Sequence, residues 1–463
     1  MTRQTSGQAH SLPDGGRDAE WRVGAATRVI TPEESMRLAG FSARTDPAEG
    51  THMDLHAKAV AFEDAGGNRA AFVSAEVLAV TRDLRQEVAE RVATECGLDP
   101  EALVLNATHT HYGPEYREAR FDVYGLSDEE RAQGRAYRAR LADELVGAVG
   151  EALDALVPAD LQYGRARCGI AMNRRLPTLD GIKFAQYPDG PVDLDVQVLA
   201  AYRGADTGVD SDGDAGLDPG VVLFGYACHP TCLPLISEYS GDWAGHAMAN
   251  LEERYDATAA FVQGCGGDIK AYPQNEYDRS EQHGRTLSNS VLAALDARTR
   301  TVQGPIRTVY DEIEVSFEPG PPRAELEARL DSDDDFARRR AQSLLDRLDE
   351  EGSIPTTYPY PIQAIGFGDD LTVVALGGEA LVEYSLSLKD RLEGNVWPLA
   401  YSNAGFTYVP TERVLREGGY EGGGAIRYTT FPGPPEPDVE ERVLGSALAL
   451  AERVGARRSD QSG

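Results

Sequence analysis

The sequence predicts an α/β fold: one large mixed α/β domain, in one lobe or two, with its chemistry gathered at strand ends. Strand-like and helix-like stretches alternate along almost the whole chain, the rhythm of strands layered with helices. The most apolar strands each run directly into a loop carrying histidine, an acid or clustered glycines. No fixed-period repeat interrupts this mixture.

Each element follows from its pattern. AKAVAFED and AAFVSAEV read as strands, LRQEVAERVATECG as an amphipathic helix stopped by Gly97, and ALVLNATHTH as a strand entering a loop. The rhythm then repeats. Residues 137–156 are helical, LQYGRARCGI and VQVLAAYRG are strands, and GADTGVDSDGDAGLDPG is an acidic loop before the buried strand VVLFGYACHP. AFVQGCGGDI and the helix RTLSNSVLAALDAR follow. Residues 303–318 read as a strand pair with a proline-rich exit, and AELEARL through LLDRLDEEG as a charged helical arm. Strand character returns at LTVVALGGE, before the helix ALVEYSLSLKDRLEG. Residues 1–20 and 456–463 are polar and aperiodic and are expected to be disordered tails, leaving 21–455 as the folded domain.

Composition excludes several classes of function. Among the 463 residues, 41% are hydrophobic, but no run approaches the roughly 18 apolar residues of a membrane span. The N-terminus lacks the apolar stretch of a secretory signal, so a cytoplasmic protein is expected. The net charge of -31 argues against nucleic acid or an anionic membrane as the main partner. With Lys58, Lys183, Lys270 and Lys389 as the only lysines, the acidity suits solubility in high salt, although an arginine-favouring genome gives the same bias. Cys96, Cys168, Cys228, Cys232 and Cys265 are too few and too irregular for a disulfide framework and are expected to be reduced thiols.

The chemistry-bearing residues are sparse. His109 and His111 stand two apart in NATHTHYGP, and if the strand stays extended through them, both rings project from one face. That arrangement can seat a metal or a general acid beside one, and it also occurs on ordinary surfaces. Gly113-Pro114 ends the strand where a site would open. His229 follows VVLFGYA in the same way, though a lone histidine there is more often packed in the core; Cys228 and Cys232 beside it read as buried thiols. In FVQGCGGDIKAY, a glycine-rich turn carrying Asp268 offers backbone N–H groups to an oxyanion or simply turns the chain, and no base pairs with Cys265. Glu379 follows LTVVALGG at a helix start, as a ligand or as a partner of the helix dipole. Histidine, histidine, glutamate and a glycine-rich turn at strand ends are what a zinc hydrolase assembles on an α/β scaffold.

The strings NATHTHYGP, ACHPT, SGDWAG, VQGCGGDI, GGE and YVPTERVLREGGYEGG occur in this order across nearly the whole folded chain. Together they resemble the catalytic, N-terminal domain of the neutral/alkaline non-lysosomal ceramidase family, in a short form without the C-terminal immunoglobulin-like domain. The resemblance implies a zinc ion held by His109, His229, Glu379 and Tyr408. His111 is then a neighbour of the scissile bond that moves a proton, and not a ligand. It further implies that Tyr420 and Arg174, with Arg175 as the alternative register, face the substrate carbonyl, while Asp242 and Asp268 orient backbone or ligands from behind. The implied function is hydrolysis of an N-acyl amide bond with zinc-activated water as nucleophile. An esterase or lactonase on a small soluble substrate and a non-catalytic zinc-containing binding protein are the alternatives.

Two positions depart from the family pattern. Gly264 stands where ceramidases carry serine, and Tyr112 where serine is common. The expected substrate is therefore a small-molecule or lipid-like amide, with sphingolipid one option among several and the oligomeric state left open.

Overall fold

The computed structural model describes residues 20–203, 218–297 and 299–459. The acidic loop and the first tail expected from the sequence fall almost entirely outside these ranges. Of the second tail, residues 456–459 are described, and Arg458 makes an antiparallel bridge to Leu392.

Nine strands form the main sheet, in the order Thr258–Gln263, Pro219–Tyr226, Asp195–Arg203, Val157–Arg167, Trp21–Val29, His56–Asp64, Arg69–Ala75 and Leu103–Ala107, with Arg300–Thr301 added on Val157–Arg167. Its middle is antiparallel, while the outermost pair at each edge is parallel. Parallel neighbours need a crossover, and a helix supplies each one. Arg82–Cys96 links Arg69–Ala75 to Leu103–Ala107, and Asp242–Tyr255 links Pro219–Tyr226 to Thr258–Gln263. A second sheet, Ile306–Ser316, Thr357–Phe367, Leu371–Leu376 and Val396–Leu399, ends in a third parallel pair joined through the helix Val382–Arg391. Crossover units of this kind open a crevice at the carboxyl ends of their strands. His109, His229, the 264–268 turn and Glu379 all follow such ends.

The two sheets pack face to face through an apolar layer that includes Trp21, Phe62, Phe72, Phe367 and Trp397. A second layer lies under Asp128–Asp154, whose start is fixed by a capping box between Ser127 and Glu130. Gly97, with φ of 68°, closes Arg82–Cys96 in the left-handed conformation a glycine permits without strain. The helical arm is two helices, Arg323–Arg329 and Asp335–Glu351.

The expected strand pair at 303–318 is instead a single long strand, Ile306–Ser316, paired with Thr357–Phe367. Its partner was hidden by Pro359 and Pro361, which count against a strand in sequence. Both prolines sit in the half of Thr357–Phe367 that pairs on one side only, because Leu371–Leu376 pairs with residues 362–367. A missing N–H is tolerated there.

The two edges of the main sheet pack through apolar side chains and are hydrogen-bonded to each other, among the described residues, by one side chain. Asn106, fully buried on Leu103–Ala107, accepts from the Gln263 N–H at 2.7 Å and donates to the Gln263 carbonyl at 3.3 Å. Its amide thus stands in for a rung of backbone ladder between Leu103–Ala107 and Thr258–Gln263. The same Nδ2 donates to Ala400 O at 2.8 Å and Ser402 Oγ at 3.0 Å, tying in the loop after Val396–Leu399. Asn106→Ala leaves the buried Gln263 N–H without its acceptor and removes a donor from the Gln263 and Ala400 carbonyls, and is expected to cost about 2–4 kcal/mol in equilibrium denaturation. A cost below about 0.5 kcal/mol would show that the edges meet without it.

Candidate metal centre

The chain leaves the sheet at Ala107, and His109 takes a left-handed backbone, φ 66°. The strand therefore does not stay extended through the motif. A turn, not strand alternation, brings the two rings together, with His111 Nε2 3.2 Å from His109 Nε2. This conformation is uncommon for a non-glycine residue and persists only where its surroundings hold it. Here His109 N–H donates to Val77 O, and its Nδ1 lies 2.7 Å from Leu78 O.

His229 is held in the same manner. Its N–H donates to Ile269 O, its carbonyl accepts from the Trp243 indole, and its Nδ1 lies 2.7 Å from Gly266 O. Asp242, itself left-handed at φ 52°, accepts from the N–H groups of Cys232 and Leu233 and shapes the loop that follows His229. Glu379 lies on the short strand Glu379–Ala380, in parallel register with Tyr408–Val409, so Glu379 and Tyr408 are neighbours. From there Glu379 Oε2 reaches 3.3 Å from both His109 Nε2 and His229 Nε2.

These contacts decide where the protons are. A carbonyl can only accept, so Nδ1 of His109 and Nδ1 of His229 each carry hydrogen, and each Nε2 presents a lone pair. Both lone pairs face a carboxylate oxygen. Three acceptors thus converge, and the buried His229 Nε2 and Glu379 Oε2 have no hydrogen-bond donor among the described residues. A cation resolves such a cluster, and imidazoles anchored by backbone carbonyls are the usual way a protein presents metal ligands. The metal-binding atoms of His109, His111 and His229 lie within 4.8 Å of one another. His111 differs from the other two. Its Nδ1 has no partner, and the ring packs on Phe41 at 4.8 Å and against Gly40. Gly40 has φ 96°, and a Cβ there would lie 2.5 Å from the His111 ring, so only glycine lets the ring sit where it does.

Electrostatics follow the geometry. Burial, then the neighbouring His109 and His229, hold His111 well below the ordinary histidine range, so it is neutral. Burial and the Glu379 charge push Tyr408 up, against the opposing pull of Arg174.

Arg174 is fully buried. It donates from Nη2 to Tyr408 Oη at 2.9 Å and to Gly267 O at 2.7 Å, and from Nε to Glu421 at 2.8 Å. Arg175 points away, to Glu421, Glu417 and Gly418 O, and only Arg174 lines the cavity beside the histidines. Tyr420 lies against Tyr408 and Phe184, each ring 5.5 Å away, and lines the same cavity of about 310 Å³. Asp268 accepts from Val382 N–H and Asn173 Nδ2, with its carboxyl pushed up to about 6 by burial. Gly264 lines neither this cavity nor the smaller one beside it, and a Cβ there would meet Ala227 at 3.1 Å. Tyr112 is buried, with its hydroxyl donating to Leu233 O. All five cysteines are free, and burial raises the Cys228, Cys232 and Cys265 thiols, which suits packing better than nucleophilic attack.

Sequence reading missed Asn106, Gly40, Lys270 and Glu421 as site residues. Glu421 was visible as an acid inside YEGG, but no local pattern reveals that it bridges two buried arginines.

Residues 21–270 match the family model described as neutral/alkaline non-lysosomal ceramidase, N-terminal. The chain is 31% identical over 99 residues to a neutral ceramidase of Drosophila pseudoobscura pseudoobscura, covering 21% of this chain and 14% of that protein. It is 31% identical over 113 residues to neutral ceramidase B of Dictyostelium discoideum, covering 24% and 15%. These alignments thus span about one seventh of the curated relatives. The fold is shared with the crystal structure of neutral ceramidase from Pseudomonas aeruginosa, at TM-score 0.71 and 20% identity over 96% of this chain and 77% of that one. A ceramidase complexed with C2 gives TM-score 0.69 with the same coverage.

Glu421→Gln leaves two buried guanidiniums sharing no carboxylate between them. It is expected to cost about 3 kcal/mol in equilibrium denaturation, as a broken buried pair does. A denaturation midpoint at the wild-type value would show that Arg174 is held by Gly267 and Tyr408 alone.

Proposed function

This chain belongs to the neutral/alkaline non-lysosomal ceramidase family, and from that membership we propose that it is a zinc-dependent amidohydrolase that cleaves an N-acyl bond. The observation that carries the reading is the convergence of His109 Nε2, His229 Nε2 and Glu379 Oε2, the last two with no hydrogen-bond partner among the described residues. Two imidazole nitrogens, a carboxylate and the adjacent Tyr408 hydroxyl make a nitrogen and oxygen donor set suited to zinc. His109, His229, Glu379 and Tyr408 would hold the ion. Zinc held there would supply Lewis acidity and lower the pKa of a water to about 7.

The chain's own residues supply the rest. His111, neutral and free of a carbonyl anchor, can take a proton and return it to the leaving amine, the step an amide needs most. Arg174 is held in place by Glu421, Gly267 and Tyr408, and its Nη1 makes no hydrogen bond among the described residues. That donor, with the Tyr420 hydroxyl, is placed to stabilise charge on the substrate oxygen. Phe41, Tyr124 and Tyr428 line the cavity wall and limit water around the bond. Ceramide, the substrate named for the relatives, is one N-acyl amide within this class.

Purified protein is expected to contain about one zinc per chain. His109→Ala and Glu379→Ala should each lose the metal and abolish turnover across a panel of N-acyl amides, esters and lactones. His111→Ala should keep its zinc while turnover falls about 10²–10⁴-fold, the usual contribution of a general acid or base. Full activity in metal-free protein would defeat the proposal, and zinc loss in His111→Ala would make His111 a ligand.

A further inference from the structure

The cavity beside the histidines holds a cation that the hydrolytic reading does not use. Lys270 is the middle residue of the strand Ile269–Ala271, whose other two side chains are buried. Alternation along a strand sends Lys270 to the opposite face, into the cavity. It sits beside the metal centre, since its backbone is bridged to His229. Its Nζ lies 5.4 Å from the centre of the Phe184 ring, and among the described residues it has neither a hydrogen bond nor a carboxylate within 4.0 Å.

Lys58 is paired with Glu252, and Lys389 with Asp193 and Asp195, while Lys183, also without a partner among the described residues, stands exposed to water. Lys270 is thus the one lysine among the described residues that is both withdrawn from solvent and unpaired. With acids outnumbering bases 76 to 45, an unpartnered, half-buried ammonium is not what chance contact produces. Among the described residues, the cavity wall also carries Arg174 and no carboxylate. In the smaller adjoining cavity, again among the described residues, Arg120 donates to the carbonyls of Tyr428 and Phe406, and Glu379 is the one acid on the wall. If Glu379 is committed to a metal, the space left for substrate is lined by positive charge inside a strongly negative protein. Low-dielectric walls focus such a field on an anion. An ammonium with three freely rotating donors suits a carboxylate approached from one side. The volume, about 310 Å³, is at the small end of ligand pockets.

Building on the amidohydrolase reading, we propose that Lys270 recognises a carboxylate on the substrate, so that the preferred substrates are N-acyl amides bearing a carboxylate close to the scissile bond. Lys270 acts here as a specificity residue: its ammonium pairs with the substrate anion while Arg174 and Tyr420 face the carbonyl.

Two matched pairs of amides test this. N-hexanoylglycine against N-hexanoylethanolamine places the carboxylate on the amine side, and N-hexylsuccinamate against N-hexyl-4-hydroxybutanamide places it on the acyl side. Wild type is expected to favour the carboxylate member of one pair by about tenfold or more in kcat/KM, as a charge-assisted contact does. Lys270→Met should collapse that ratio, mainly through KM, and Lys270→Arg should restore most of it. A ratio unchanged in Lys270→Met, or an equal fall for both members, would overturn the proposal and leave Lys270 a packing residue. Calorimetric binding of the four amides to the His111→Ala protein reads the subsite apart from turnover. Carboxylate preference that disappears in a His111→Ala, Lys270→Met double variant, with no amide hydrolysed by wild type, would keep the subsite and reject the amidohydrolase reading. Absence of any carboxylate preference in binding would reject the subsite whatever the turnover.

Discussion

The Asn106 side-chain amide bonds to both backbone groups of Gln263 and to the 400–402 loop, and the rest of the site depends on that contact. A sheet of nine strands with two parallel edges leaves two unpaired borders. Here the two borders are joined by a side chain and not by a backbone ladder. The same contact aligns the ends of Leu103–Ala107, Thr258–Gln263 and Val396–Leu399, from three separate crossover units. His109 follows the first of these, three residues beyond Asn106 itself. A buried amide with its donors and acceptor satisfied is also a directional constraint, because any slip in register would leave it unpaired.

Rigidity continues into the site through backbone carbonyls. Leu78 O and Gly266 O orient the imidazoles of His109 and His229, and the register of Glu379 against Tyr408 sets the carboxylate opposite them. The result is a knot of acceptors that is unfavourable without a cation. Around it lies a second charge arrangement: Arg174 and Arg175 share Glu421, and Arg120 and Lys270 have no acid of their own among the described residues. The chain as a whole carries a net charge of -31, while the adjoining cavities next to the histidines carry Lys270, Arg174 and Arg120 on their walls. Surface charge is screened within about 8 Å at physiological salt, so the exposed acids beyond that distance offset the cavities' charge little.

Much of the fold was legible because strand and helix periodicities are local properties. The strands at 56–64, 69–75, 103–107 and 219–226 and the helices at 82–96 and 382–391 follow directly from their patterns. The hairpin Ala171–Thr178 and Gly181–Tyr187, which carries Arg174 and Phe184, did not announce itself, because its residues alternate weakly and much of it is exposed. The strand 357–367 was masked by two prolines whose tolerance depends on which neighbour pairs with which half. His109 and His111 were expected together, and they are together, through a left-handed turn that no alternation rule contains.

By itself the sequence determined the α/β class, the placement of histidine, glutamate and glycine after apolar strands, and, through its ordered motifs, the family resemblance. These rest on spacing and residue type, which are written along the chain. Only the tertiary structure decided that Glu379 Oε2 lies between two imidazole lone pairs, that Arg174 and not Arg175 faces the cavity, and that Lys270 stands there without an acid. Such facts depend on register between distant strands and on which acceptors remain after the backbone has been satisfied. Both are settled only when the whole chain has packed.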